Sequence, residues 1–430
     1  MNYIFSLPSN KLFGLCIALA WAVQAGAEPA GLGQASGFAG HVKYRFNYQR
    51  FPDDSVYHQA LGSGALDQYL ETRLRFSSKQ QQWDFKADYQ FIAIHADTLQ
   101  LAQDWPGSAL PVDSVISDDL RWWNLTHRSG QGERTATVHR LDRLSVGYTT
   151  EHSAWRFGRQ AISWGNGMLF TPMDVFNPFD PAAVDKDYKT GDDMLYGQYL
   201  FGSGADLQGV AVVRRDPDSG EVGANQASAA VKYHGFLGTG EFDLLAAKHY
   251  GERIVAVGGN VDLGGAVLRG DLTWTATDTD EVLSAVASLS YSWTWGGHNI
   301  SGLLEYYHSG FGQPDSDYSA DALARNTDLL TRLQRGELYT LSRNYLGASA
   351  TAELTPLLLL TPVLFLNIDD PSALAQVVMQ YGLAQNWDLL CALSLPIGPN
   401  GSEYGGIPAP IEGYYLSTDP GLFAQLAWYF

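Results

Sequence analysis

Seven basic residues between positions 43 and 156, Lys43, Arg45, Arg73, Arg75, Lys86, Arg143 and Arg156, sit among apolar neighbours. Val42, Tyr44, Phe46 and Tyr48 interleave with Lys43 and Arg45, and Leu70, Thr72, Leu74 and Phe76 interleave with Arg73 and Arg75. An extended chain turns successive side chains to opposite faces, so the cations share one face and the apolar residues the other. If the apolar face meets lipid, the cations face away from it, because a charge at mid-membrane costs about 2–4 kcal/mol. Along a water-filled wall such a row would concentrate anions. In a closed wall it would pair with Glu71, Asp84 and Asp88 instead.

A second constellation lies in 163–192, the most distinctive stretch of the chain. It carries Asp174, Asp180, Asp185, Asp187, Asp192 and Asp193, offset only by Lys186 and Lys189, with Pro172, Pro178 and Pro181 and several aromatics. Prolines stiffen a loop, and long ordered loops are usually functional. The expectation is a constriction loop whose acids face the basic row across a narrow slot.

Other chemistries fit less well. Asp185-Lys186-Asp187-Tyr188-Lys189-Thr190-Gly191 has a calcium-loop beginning, but Lys at the fifth position and Thr at the sixth break the pattern. The ten histidines show no zinc spacing. His95 with Asp97, His249 and His308 fall at strand ends, where a barrel enzyme would keep its site, yet no Ser-His motif or nucleophile elbow accompanies them. No metal, cofactor or catalytic site is expected.

The elements that must hold these residues follow from composition and pattern. The 430 residues include 27 Lys+Arg against 46 Asp+Glu, a net charge of −19. Loss of a leader containing Lys11 takes this to −20. So acidic a chain is a poor partner for nucleic acid. Only 17% of residues are charged while aromatics reach 13%, which excludes a disordered chain. Residues 1–27 read as a secretory signal: Lys11, the apolar run Leu12 to Val23, then Ala25-Gly26-Ala27 before Glu28. Past it, no apolar run is long enough to span as a helix. Removing the leader leaves Cys391 as a lone thiol.

Period-two alternation recurs throughout, in strands near 38–50, 67–77, 82–95, 135–149, 153–162, 193–201, 207–215, 225–234, 240–250, 252–261, 265–277, 281–295, 298–309, 343–354, 357–367, 372–384, 386–396 and 421–430. Connections after even strands are short, and the long gaps 51–66, 96–134, 163–192, 310–342 and 397–420 all follow odd strands. This is the signature of a closed antiparallel transmembrane β-barrel of about 18 strands, alternatively about 16, with short periplasmic turns and long outer loops. Tyr44, Tyr48, Trp83, Trp155, Tyr291, Trp293, Trp295 and Trp428 lie near strand ends, as interfacial girdles require.

At the C-terminus, Leu426, Trp428 and Phe430 share one face and the chain ends on an aromatic. This resembles the targeting signal of Gram-negative outer-membrane barrels and implies the barrel assembly machinery as a partner. Gly158-Arg159-Gln160, followed by Trp164-Gly165, resembles the large monomeric 18-stranded channels of the alginate-export and OprD-like type. In porins of known type the third outer loop folds into the lumen, which the resemblance implies for 163–192.

The sequence therefore describes a signal peptide, 1–27, and a single barrel domain, 28–430, in the bacterial outer membrane among its lipid and lipopolysaccharide. The function expected is a porin-like channel for diffusion or export of small or polymeric, anionic solutes, served by a periplasmic or inner-membrane transport partner. A closed barrel for surface assembly or adhesion, binding polysaccharide or a partner protein, is the alternative reading; a barrel enzyme is a further one.

Overall fold

A computed structural model describes residues 37–104, 117–130, 132–217 and 219–430. The leader reading falls outside the described residues. Among them, nineteen strands form one antiparallel sheet. One strand, Thr126–Ser129, is short and pairs only with its neighbour. The other eighteen form the wall: β1 (Gly37–Arg50), β2 (Gly64–Gln80), β3 (Trp83–Ala96), β4 (Thr135–Thr149), β5 (Ser153–Gln160), β6 (Asp192–Leu200), β7 (Asp206–Val212), β8 (Ser228–Leu237), β9 (Gly240–His249), β10 (Glu252–Asp262), β11 (Ala266–Ala276), β12 (Glu281–Trp295), β13 (His298–His308), β14 (Asn344–Thr355), β15 (Leu358–Asn367), β16 (Ser372–Ala384), β17 (Trp387–Ile397) and β18 (Gly421–Tyr429). Each expected strand has its counterpart. The last strand returns to the first, from His41↔Tyr429 to Gln49↔Gly421, and closes the barrel without an edge.

The wall is built inside out. Leu74, Phe85, Val146, Leu195, Leu244, Leu272 and Leu304 are exposed on one face. On the alternate positions Lys43, Arg73, Asp243, Asp271 and Glu305 are buried. A water-soluble sheet would reverse this assignment; a membrane barrel requires it. Trp83, Tyr148, Trp155, Tyr199, Phe236, Trp293, Trp295 and Trp387 are exposed beside the short turns, forming one aromatic girdle. Gly296 and Gly297, both at positive φ, make the two-residue turn between β12 and β13, a backbone that side-chain-bearing residues resist.

One irregularity moves functional side chains. Asp88 pairs with Arg143 and Tyr89 with Leu141, leaving Asp142 as the extra residue of a β-bulge. The bulge reverses the side-chain phase within β4. Arg140 and Asp142 before it, and Arg143 and Ser145 after it, all reach the side away from lipid.

Candidate functional site

The basic row assembles on β1–β5, but its members are mostly paired. Lys43 Nζ donates to Asp185 Oδ2 at 2.8 Å and to Asp187 Oδ2 at 2.7 Å. Arg73 donates to Asp142 Oδ2 at 2.8 Å and lies 4.1 Å over the ring of Tyr188. Arg143 donates to the same carboxylate and to the carbonyl of Lys189. Arg156 approaches Asp84 at 3.8 Å. Arg45 stacks 4.3 Å over Tyr69. Arg75 faces Asp88 across the β2–β3 ladder. Lys86 is exposed near the short-turn end of β3.

Pairing does not use every donor. Nε of Arg75 and Arg140 is buried without a hydrogen-bond partner, while Nε of Arg73 and Arg156 faces Glu71 at 3.6 Å and Asp84 at 3.8 Å, beyond hydrogen-bond distance. A guanidinium offers five N–H groups in a rigid fork, and carboxylates on one side leave the others aimed elsewhere. Arg140 was not among the expected residues, because simple alternation does not cross the bulge.

The segment 161–191 between β5 and β6 is tied to strands around the whole wall. Trp164 Nε1 donates to Gln208 on β7 at 2.8 Å. The backbone amides of Asn166 and Gly167 donate to Asp271 on β11, and Asn166 Nδ2 reaches both Asp271 and Asp243 of β9. Glu305 on β13, fully buried, accepts from the amides of Met168, Leu169 and Phe170 at 2.7, 3.0 and 2.7 Å. Met173 and Phe176 step back to pack with Met194, Val210, Leu245 and Ala256. The chain then crosses to β16, where Gln376 donates to the carbonyl of Ala182 at 3.1 Å. Asp185 and Asp187 reach β1, Tyr188 reaches β2, and Lys189 reaches β4 before the chain re-enters the wall. All these partners stand on the face of the wall opposite the lipid-exposed one.

Within the segment, Asp174 pairs with Lys189. Burial pushes the Asp174 carboxyl up to about 6 despite that lysine. Burial also raises Asp180, whose Oδ1 accepts from the amide of Ala182. It lowers Lys186, whose ammonium donates to the carbonyl of Pro181 at 2.9 Å. Burial would raise Asp187 as well, but hydrogen bonding to Lys43 outweighs it and holds the carboxyl low.

Two expectations need correction. Asp192 and Asp193 belong to β6, not to the loop. Asp192 accepts from Arg214 at 2.7 Å, and Asp193 accepts from Arg159 Nε at 2.9 Å. Two adjacent carboxylates at the strand start point to opposite faces, where each meets its own arginine. Arg159 also donates to Asp118 at 2.7 Å, and its environment is fully buried. The charges of 163–192 also do not face the basic row across a gap: Asp185 and Asp187 touch it directly through Lys43.

A hydrogen-bonded chain of Ser228, His249 and Glu337 forms at the outer ends of β8 and β9, with distances of 2.9 and 3.0 Å. Its residue types suit nucleophilic catalysis. Ser228 Oγ also accepts from Arg214 at 2.7 Å and is buried, so an acyl group has no approach to it. The chain instead fastens Glu337, in the connection between β13 and β14, to the wall.

The terminal residues Leu426 and Trp428 pair with Tyr44 and Val42 of β1. Phe430 exchanges two backbone hydrogen bonds with Gly40, at 2.9 and 3.0 Å. An added Cβ at Gly40 would meet the Phe430 ring at 2.6 Å, so glycine there admits the terminal aromatic.

No family model matches the sequence, and no curated protein sequence matches it. Among solved structures, a BenF-like porin from Pseudomonas fluorescens Pf-5 is similar, with a TM-score of 0.51 and 10% identity over 92% of this chain and 98% of that one. OccAB4 and OccAB2 of Acinetobacter baumannii are similar to the same degree, with TM-scores of 0.51, identities of 9% and 10%, and the same coverage. At such identity the likeness is one of architecture, and with the closed wall described above it gives this chain the barrel fold of porins.

Proposed function

We propose that the protein is a channel of the bacterial outer membrane whose bore is narrowed by 161–191 and whose basic wall favours small anionic solutes. The observation that carries this reading is the set of anchors on β7, β9, β11, β13, β16, β1, β2 and β4. A segment held to every quarter of the wall lies across the bore and sets its width. The row of Lys43, Arg45, Arg73, Arg75, Lys86, Arg143 and Arg156 on β1–β5 supports the charge preference, because fixed cations along a path raise the local concentration of anions. Leu426, Trp428 and Phe430 serve as the signal read by the barrel assembly machinery, and the exposed apolar belt meets lipid and lipopolysaccharide.

Single-channel recording in planar bilayers tests the proposal. The protein should show discrete conductance steps, and replacing 171–190 by a tight glycine-containing turn should raise them several-fold. An unchanged conductance would remove the segment from the path. Complete absence of conductance in both forms would assign the barrel to the closed, adhesive class.

A further inference from the structure

The outer surface of the wall breaks its own charge rule at one place. Among the described residues, the Lys and Arg of the wall strands turn away from lipid, save Arg50, Lys248 and Arg253, which are exposed and continue the apolar series. Lys248 follows Leu244 and Ala246 on β9, and Arg253 precedes Val255 and Val257 on β10. Leu244, Val255 and Val257 are exposed to lipid. Arg50 stands by itself at the outer end of β1, but Lys248 and Arg253 are direct partners across the β9–β10 ladder. We propose that this pair binds a phosphate group of a phosphorylated glycolipid in the outer leaflet, the headgroup chemistry of lipopolysaccharide.

The pair stands at headgroup depth. β9 and β10 are joined by Tyr250 and Gly251, both at positive φ, so the wall ends just beyond the pair and no long loop rises above it. On β10 the lipid-facing series runs from Arg253 through Val255 and Val257 to Val261. At about 3.3 Å per residue and a tilt of about 40°, the drop from Arg253 to Val261 is roughly 20 Å. An apolar band about 25 Å tall therefore ends near Arg253 on its outer side, where an exposed charge costs little.

The charges of the pair are uncompensated. Side chains directly opposite on an antiparallel ladder have Cβ atoms about 4.5–5.5 Å apart, and like charges there repel. In the outward row, Lys248 is flanked by Ala229 on β8 and Arg253 by Ala276 on β11. Glu281 lies one strand farther, opposite Ala276, roughly 10 Å from Arg253 at the usual strand spacing. Glu252 turns inward and accepts from Arg332 at 2.5 Å. Among the described residues, neither Lys248 nor Arg253 has a hydrogen bond or an ion pair. A phosphate between them would accept charge-assisted hydrogen bonds from both and cancel their repulsion. On the same face, the small side chains of Ala229, Ala246 and Ala276, beside Val255 and Trp274, leave a shallow apolar surface against which acyl chains pack. A free anion gains only the charge contacts, whereas a lipid gains both.

The assignment rests on the outer-membrane placement in the proposed function and is independent of whether the bore conducts. The protein in detergent, stripped of lipid, is titrated with diphosphoryl lipid A, and bound lipid is counted by native mass spectrometry. Saturable retention is expected, at least about tenfold tighter than that of the dephosphorylated lipid. Lys248→Gln/Arg253→Gln should weaken it by roughly twenty-five-fold, a factor of about five for each cation near a lipid surface. Lys248→Arg/Arg253→Lys should preserve it, and millimolar inorganic phosphate should leave the lipid bound. Absence of retention, equal affinity for the dephosphorylated lipid, indifference to the glutamine pair, or displacement by inorganic phosphate would each overturn the proposal. The comparison of the two lipids needs no variant, so it stands even if the glutamine pair does not assemble. Failure of the channel reading has a different signature: no conductance, with lipid A still retained through the pair.

Discussion

Replacing Glu305 by alanine should release the segment that crosses the bore while leaving the wall intact. Glu305 is fully buried and accepts from three consecutive amides, those of Met168, Leu169 and Phe170. A hydrogen bond to a charged group is worth about 1.5–3 kcal/mol. Three would give about 5–9 kcal/mol, an upper bound, because amides freed by loosening find water. A loss of about 3–5 kcal/mol in the docking of 166–170 is a reasonable working figure on that scale. At about 1.4 kcal/mol per tenfold, the undocked population rises by roughly a hundred- to several-thousand-fold. The β13 ladder pairs through its backbone with β12 and β14 and loses nothing. The assay is single-channel current at fixed voltage with heat-denaturation of the folded barrel as control. Glu305→Ala should show frequent excursions to higher conductance, with Glu305→Gln intermediate because one carbonyl acceptor remains. Current traces identical to the native protein, with the barrel folded, would refute the claim that these three bonds hold the constriction.

Other perturbations follow from the same contacts. Arg159→Met leaves Asp193 buried without its counter-ion, while Asp118 keeps only Arg121, and should destabilise the barrel by about 3–5 kcal/mol, read by heat-modifiability on gels. Burial raises the carboxyls of Asp174 to about 6 and Glu403 to about 7, so the folded loops bind more protons than the unfolded chain. Loop stability should therefore fall as pH rises from about 4 through about 7, monitored by proteolysis of the outer loops, and Asp174→Asn should flatten the lower part of that slope. Deleting Phe430 removes the exchange with Gly40 and should lower the amount of folded barrel in the outer membrane; normal yield would show that the terminal aromatic is dispensable.

The wall was legible because every strand obeys one rule at once, apolar side chains toward lipid and polar ones inward, and because connection length separates the two ends. Each of the eighteen expected strands has a counterpart in the wall, with bounds displaced by a few residues. Two features escaped that rule. The bulge at Asp142 is invisible to alternation, and it hid Arg140. The boundary at Asp192 was missed because two adjacent aspartates resemble loop composition, whereas each is paid for by a separate arginine, Arg214 and Arg159. The anchors of 161–191 had a readable half. Asp243 between Phe242 and Leu244, and Glu305 between Leu304 and Tyr306, carry inward acids on apolar strands. Their partners are backbone amides in a loop, and no side-chain pattern announces those.

The account's central claim is an aqueous path beside a basic wall, and the reversal potential across a salt gradient tests it most directly. Native protein in a tenfold KCl gradient should give a modest potential of anionic sign. Replacing Arg45, Arg73 and Arg75 together by serine should move it toward cations, and the difference should shrink in molar salt, where screening acts within about 3 Å. An unchanged potential in the assembled triple variant would contradict the claim, and so would failure of that variant to assemble, which would make these arginines part of a closed structural network.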